Sequence, residues 1–254
     1  MSKFLTLLIC LTYSVSTYAI TILIDPGHGG KDCGARANYH QKDKGKIVSI
    51  CEKDIALSIG KLIKNKLKKK HSVYLTRSID RDLDLDERSK MAETLKADLF
   101  ISIHLNSHTT GKAAGFETFY LSNHKNSAVK KLESIENKNA KGDEIIINQI
   151  LADLVIDRTA PDSKLLAGFI HKEVKKNIEK RFNISDRGIR PALFYVLALS
   201  KRPSVLLEAG FLSNQKEINK VLKENFQLKY ANAVAKGIDA FVTKKYGKKR
   251  PSLF

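Results

Sequence analysis

Apolar and polar residues along this chain fall into blocks whose period changes, and each change marks a predicted element. Residues 20–24 form a short apolar run that stops at Asp25-Pro26-Gly27-His28-Gly29-Gly30, which predicts a buried strand followed by a glycine-permitted turn. A loop is expected from there to about Gly45. Ile55, Ile59, Leu62, Ile63 and Leu67 then recur at helical spacing and predict an amphipathic helix. Strands are expected over residues 73–76, 99–103 and 116–121, with a helix over 85–95 between the first two. This β-α-β-α-β order predicts an α/β fold: a three-layer domain with a largely parallel central sheet flanked by helices.

The rhythm breaks over residues 123–159. Val129, Leu132, Ile135 and Glu136 share one helical face, a polar break covers 137–143, and a second helix is expected over 145–155. A helix over 165–178, strands over 193–196 and 205–207, and a last helix over 230–242 follow; the basic tail, 243–254, is expected to be poorly ordered. The first 19 residues read differently: Lys3, a mostly apolar stretch from Phe4 to Val15, and Thr17-Tyr18-Ala19 form a secretory signal, with cleavage expected near Ala19. Cys10 follows the bulky Ile9, which argues against a lipoprotein site. No later stretch approaches the roughly 18 consecutive apolar residues of a transmembrane helix. The expected product is an exported, periplasmic domain over residues 20–242 with a helical insertion.

Composition refines this picture. The 254 residues are 43% hydrophobic and 28% charged, globular values, and carry a formal net charge of +18. Such a field attracts polyanions, and export favours an anionic lipid or wall polymer. With no Trp and no interleaving of aromatic and basic residues, no nucleic-acid partner is expected. Beyond the leader stand Cys33 and Cys51. A disulfide and two unpaired thiols are both open readings, and the absence of C-x-x-C spacing speaks against a cysteine metal site.

The candidate chemistry sits where strands end. His28 follows the first strand, His104 ends the strand from Leu99, and Glu208 ends the strand from Val205, so a parallel sheet would deliver all three to one rim. Glu52 shares the inward face of its helix with Ile55 and Ile59, where a carboxylate must be capped, paired or metal-bound. Ser49-Ile50-Cys51-Glu52 also matches a capping box with Glu52 at its last position. Set beside two histidines, Glu52 reads better as a ligand. Two imidazoles and a carboxylate around an open position suit catalytic zinc, one ion per chain. Glu208 is then the candidate to carry a proton between water and a leaving amine. Asp25 is expected to orient the first turn or His28, or to serve a structural hydrogen bond. His40, His71, His108, His124 and His171 stand in polar or basic contexts and are expected at the surface.

Taken together, I-D-P-G-H-G-G, C-E-K-D-I-A-L, the stretch from Thr76-Arg77 to Arg88, S-I-H-L-N, G-F-E-T-F-Y and P-S-V-L-L-E-A-G-F-L-S-N carry a resemblance. Over about residues 20–242 the chain resembles the zinc-dependent N-acetylmuramoyl-L-alanine amidases of cell separation. The resemblance implies zinc on His28, Glu52 and His104, Glu208 as catalytic carboxylate, and hydrolysis of the amide joining N-acetylmuramic acid to L-alanine in peptidoglycan. It leaves Asn106 and Arg190 as candidate substrate or supporting residues. It also implies that the insertion is autoinhibitory, with Glu136 on a helix that plugs the cleft and touches the metal. An activator protein would displace that helix, and Ile145, Ile146, Ile150 and Leu154 form a candidate face for it. The alternative for Glu136 is an exposed helix edge. Some relatives carry a wall- or septum-targeting domain that has no counterpart in this sequence.

Rival readings are a penicillin-sensitive serine peptidase, from the S-x-x-K matches at Ser58 and Ser127, and a non-catalytic wall-binding module. No K-T-G follows the first pattern, and a binder needs no His28, Glu52, His104 and Glu208 set.

Overall fold

The computed structural model describes residues 18–41, 45–123, 126–138 and 142–247. The chain runs β1 (Thr21–Pro26), β2 (Arg36–Gln41), β3 (Lys46–Cys51), α1 (Glu52–Leu67), β4 (Ser72–Leu75), α2 (Leu85–Thr94), β5 (Leu99–Asn106) and β6 (Phe116–Leu121). It continues through α3 (Ser127–Glu136), α4 (Gly142–Phe182), β7 (Asp186–Ala192), α5 (Tyr195–Leu199), β8 (Ser204–Phe211), α6 (Gln215–Val221) and α7 (Glu224–Tyr246). A six-stranded sheet has the order β4-β1-β5-β8-β6-β7. The four strands β4, β1, β5 and β8 are mutually parallel; β6 runs antiparallel to β8, and β7 parallel to β6. Every residue of β5 and β8 is buried, as central strands covered on both faces require.

Two apolar clusters fill the spaces on either side. One joins Ile55, Ile59 and Ile63 of α1, Leu166, Ile170 and Val174 of α4, and Val234, Ile238 and Phe241 of α7 to one face of the sheet. The other joins Ala92 of α2, Val129 of α3, Val155 and Ile156 of α4, and Leu197 of α5 to the opposite face. The three-layer expectation is met, and the parallel strands bring their carboxyl ends to one rim.

Several local expectations are corrected. The loop expected to about Gly45 holds β2, which pairs antiparallel with β3; Ala37, Tyr39 and Ile50 of this hairpin pack against the core, a polar–apolar alternation too short to stand out in the sequence. The strand expected over 193–196 is instead the lead into α5; the strand is β7, whose D-R-G-I-R-P-A sequence is tolerated because it lies at the sheet edge. The two helices expected over 145–155 and 165–178 are one helix, α4. Pro161 removes one backbone hydrogen bond inside it, but Ile156 before it and Leu166 after it are each locked into a core cluster. The last helix starts earlier and ends later than expected, running through Tyr246 into the region read as tail. Residues 1–17 of the expected leader, and residues 248–254 of the expected tail, lie outside the described residues. Among the described residues, no helix is long and apolar enough to cross a membrane.

Candidate metal centre and cleft

The first turn is built to present one ring. His28 itself takes a left-handed backbone, φ 58°, which non-glycine residues seldom adopt. Two buried arginines hold the turn by its carbonyls. Arg77 donates to the oxygens of Pro26 and Gly27 at 3.0 and 2.7 Å; Arg88 donates to those of Pro26 and His28 at 3.0 and 2.9 Å. Arg88 also pairs with Asp25 at 2.6 Å. Asp25 accepts from Thr76 and Ser102 as well, so it braces the turn through Arg88. The partner of the His28 ring is Asp32, a residue with no signal in the sequence: its Oδ2 lies 2.9 Å from His28 Nδ1. Replacing Arg88 by Ala would strand the Asp25 charge in the core. The expected cost is about 3–5 kcal/mol of stability, measurable by urea unfolding.

Glu52 opens α1, and its carboxylate is held from behind, with Oε2 accepting from Ala35 N at 2.8 Å and Oε1 from Leu105 N at 2.9 Å. The capping-box alternative is overturned: Ser49 lies in β3, and the residue capping α1 is Cys51, which makes no side-chain cap bond. Cys51 is joined to Cys33 in a disulfide, which ties the stretch after the His28 turn to the start of α1. Gly27 and Gly34 leave room for this packing. A Cβ at Gly27 would stand 2.5 Å from His104 Nε2, and one at Gly34 would stand 2.5 Å from Glu52 Oε2.

These constraints bring three atoms together. Glu52 Oε1 lies 3.2 Å from His28 Nε2 and 3.0 Å from His104 Nδ1. Neither ring nitrogen has a hydrogen-bond partner among the described residues, although both are buried. Ligand atoms about 2.0–2.1 Å from a tetrahedral ion stand roughly 3.3 Å apart, close to these separations. The pocket also demands positive charge: burial disfavours a charged His28, but Glu52, Asp32 and Glu136 outweigh it and raise its pKa to about 11. Two imidazole nitrogens, unpartnered and facing carboxylate oxygen, are a donor set that fits a divalent ion such as zinc.

Glu136, at the end of α3, comes to the same place. Its Oε2 lies 3.3 Å from His104 Nδ1 and 3.7 Å from His28 Nε2, and His28, His104 and Glu136 form a set able to hold a metal ion. Glu136 is thus directed inward, against the exposed-edge alternative. The helix is latched by its polar side: Glu133 accepts from Leu193 N, and Asn137 donates to Leu193 O at 2.9 Å and accepts from Tyr195 N at 2.8 Å.

Glu208 sits on β8 in register with His104, with Oε2 buried and unpartnered among the described residues. Burial, then the carboxylates of Glu52, Glu136 and Glu117, raises its pKa well above the carboxylate range. Glu117 is the buried acid opposite Glu208 on antiparallel β6. It pairs with Arg187, and Arg190 Nε lies 3.6 Å from it. Glu117 is a further residue of the site, signalled in the sequence only by a charge inside the apolar run F-E-T-F-Y, which implies a buried ion pair. A cleft of about 510 Å³ opens beside these groups, lined by His28, Glu52, Asn106, Glu117, Glu136 and Arg190 among others. Asn106 accepts from Ser107 N at 2.7 Å and so shapes the rim.

The remaining histidines divide. His71 and His171 are buried, not superficial as expected: His71 lies 3.1 Å from Asp239, and His171 bridges Thr118 and Asp186 at 2.9 and 2.7 Å. His108 is exposed at the cleft mouth. The side chain of His40 and the whole of His124 lie outside the described residues, as do the side chains of Ile145, Ile146 and Ile150; Leu154 is exposed. Of the two S-x-x-K serines, Ser58 donates to Gln227 in the packing of α1 on α7, and Ser127 is exposed at the start of α3.

A metal-capable pocket at the carboxyl rim of an α/β sheet, beside a buried free carboxylate, is the site of a hydrolase class. The family model for N-acetylmuramoyl-L-alanine amidases matches residues 22–240, and the chain belongs to that family. It is a peptidoglycan amidase. It is similar to the amidase AmiA of Escherichia coli, 32% identical over 231 residues that cover 87% of this chain and 75% of AmiA. Its fold matches a Clostridium difficile 630 amidase with a TM-score of 0.66 at 29% identity, covering 89% of this chain and 98% of that one. It also matches the Clostridioides difficile CwlD amidase, solved in complex with the GerS lipoprotein, with a TM-score of 0.64 at 28% identity over 89% and 99% of the two chains.

Proposed function

We propose that this chain is an exported zinc amidase that cleaves the bond between the lactyl group of N-acetylmuramic acid and L-alanine, and that α3 holds it in a latent state. The observation that carries the zinc reading is the convergence of His28 Nε2, His104 Nδ1 and Glu52 Oε1, with both ring nitrogens buried and unpartnered. His28, Glu52 and His104 would hold the ion. When bound, zinc supplies Lewis-acid polarisation of the scissile carbonyl and activation of water.

The chain's own residues do the rest. Glu208 takes the proton from the attacking water and returns it to the departing L-alanine nitrogen as the C–N bond breaks, leaving a lactyl carboxylate and a free amine. Its raised pKa, caused by burial and neighbouring carboxylates, suits a group that must hold that proton between the two steps. Asp32 fixes the His28 ring, so Nε2 faces the site. Arg190, on the cleft wall, is placed to meet a carboxylate of the stem peptide.

Latency rests on Glu136, whose carboxylate stands where a substrate oxygen would have to approach the two histidines. Displacement of α3 by an activator protein would open the cleft. That a related amidase is described in complex with a lipoprotein supports a protein partner. Release of stem peptides from the wall in the periplasm would serve separation of daughter cells.

The test is digestion of purified sacculi, read as new L-alanine amino groups. A chelator should abolish release and added zinc should restore it; release that survives chelation overturns the zinc reading. Asp32→Ala should weaken zinc binding by about 10–100-fold in competition with a chromophoric chelator.

A further inference from the structure

The four parallel strands have a second set of ends. The segments that lead into β4, β5 and β8 all lie at the pole opposite the catalytic rim, together with the C-terminal end of α7 and the middle of α4. That pole is basic. Lys68 and Lys69 precede β4, Lys96 precedes β5, Lys201 precedes β8, and Lys244 lies in the last turn of α7; all are exposed. The acids nearby are mostly engaged: Asp98 accepts from Thr21 N, Asp162 pairs with Lys245, and Asp239 pairs with Lys70 and His71. Glu93 and Asp157 are exposed there as well, too few to cancel the field.

Among these lysines runs an apolar strip. On the outward side of α4, Pro161, Leu165, Gly168 and Phe169 form a shallow depression flanked by Lys164 and Lys172. Leu165 is 40% exposed, and Phe169 is partly buried against the core. Tyr246, which ends α7 at the same pole, stacks on the exposed Tyr18 at 6.4 Å and has Lys245 Nζ 5.7 Å from its ring centre. Apolar and aromatic side chains rimmed by lysines, whose stems can lie along apolar surface while their heads stay in water, suit an interface of hydrocarbon and anionic headgroups. A soluble polyanion would use the lysines and leave the strip unused.

We propose that this basic pole, with the α4 strip at its centre, docks the enzyme on the surface of an anionic phospholipid bilayer. Charge complementarity identifies the partner's sign, and the strip separates a bilayer from a glycan or nucleic acid. Docked in this way, the molecule turns its catalytic rim away from the lipid. The proposal does not depend on zinc or on latency, and its test reads no catalysis.

The test is co-sedimentation of the exported, processed protein with phosphatidylcholine vesicles, with and without phosphatidylglycerol, at low and high salt. Binding should require phosphatidylglycerol and fall at high salt. Lys69→Glu/Lys164→Glu/Lys244→Glu should lower the partition coefficient at least about a hundredfold, since each lysine near an anionic surface contributes about fivefold. Lys112→Glu/Lys216→Glu/Lys223→Glu makes the same change of charge on the catalytic side and should retain most binding. Leu165→Asp should also weaken binding, and circular dichroism melts of the variants should match that of the parent. Equal losses in the two triple variants, or no binding to anionic vesicles at low salt, overturn the proposal. Unchanged vesicle binding by Leu165→Asp, or tighter binding to a soluble polyuronate or duplex DNA than to vesicles, assigns the pole to a soluble polyanion and overturns the bilayer.

Discussion

Glu208→Gln should lower turnover on peptidoglycan by about 10²–10⁴-fold while leaving the fold and zinc content intact. The substitution keeps the size of the side chain and removes the ability to hold a proton. Glu208 lies in β8 among fully buried neighbours, in register with His104, and is not among the three groups whose atoms converge. Loss of activity with retained zinc, measured by dye release from labelled sacculi and by metal analysis of the same sample, would separate proton transfer from metal binding. Zinc lost in parallel with activity would instead make Glu208 a ligand. Near-parental turnover would remove it from the mechanism.

The opposite sign is expected at Glu136. Glu136→Ala should raise basal hydrolysis by about 10–100-fold, because a charged contact of about 1.5–3 kcal/mol no longer favours the closed state. The polar latch through Glu133 and Asn137 would persist, so activation should stay below that of a variant in which Asn137 is also replaced. A Glu136→Ala enzyme no faster than its parent in the sacculus assay would leave α3 as a wall of the cleft and not a plug.

Much of the site could be read from apolar runs that stop abruptly. His28 follows such a run, His104 and Glu208 are polar breaks in two others whose strands continue to Asn106 and Phe211, and the parallel order of the strands brings the three together. Glu52 was legible for a different reason: a carboxylate on the inward face of a helix needs a partner. The losses have physical causes too. β7 carries Gly188 and Pro191, which discourage a strand assignment in the middle of a sheet but not at its edge. α4 passes through Pro161 because packing on both sides outweighs one missing hydrogen bond, and such packing leaves no local mark. Asp32 sits in a polar loop, and Glu117 looked like a flaw in an apolar strand. The roles of both are set by folded geometry: a turn that brings the His28 ring back onto Asp32, and an arginine 70 residues further along the chain that reaches Glu117.

The packing around the converging atoms also changes what defines this site. Gly27 lies against the His104 ring, and Gly34 lies against Glu52 and His28, with no space for even a methyl group at either position. Neither residue can donate, accept or titrate through a side chain. Both set how closely the donors may approach one another, as spacers set the jaws of a clamp. Substituting them would widen the gap while every donor stayed present, so an inventory of the chemical groups alone would report an intact site. In this enzyme the gauge of the pocket is recorded at two positions that have no side chain.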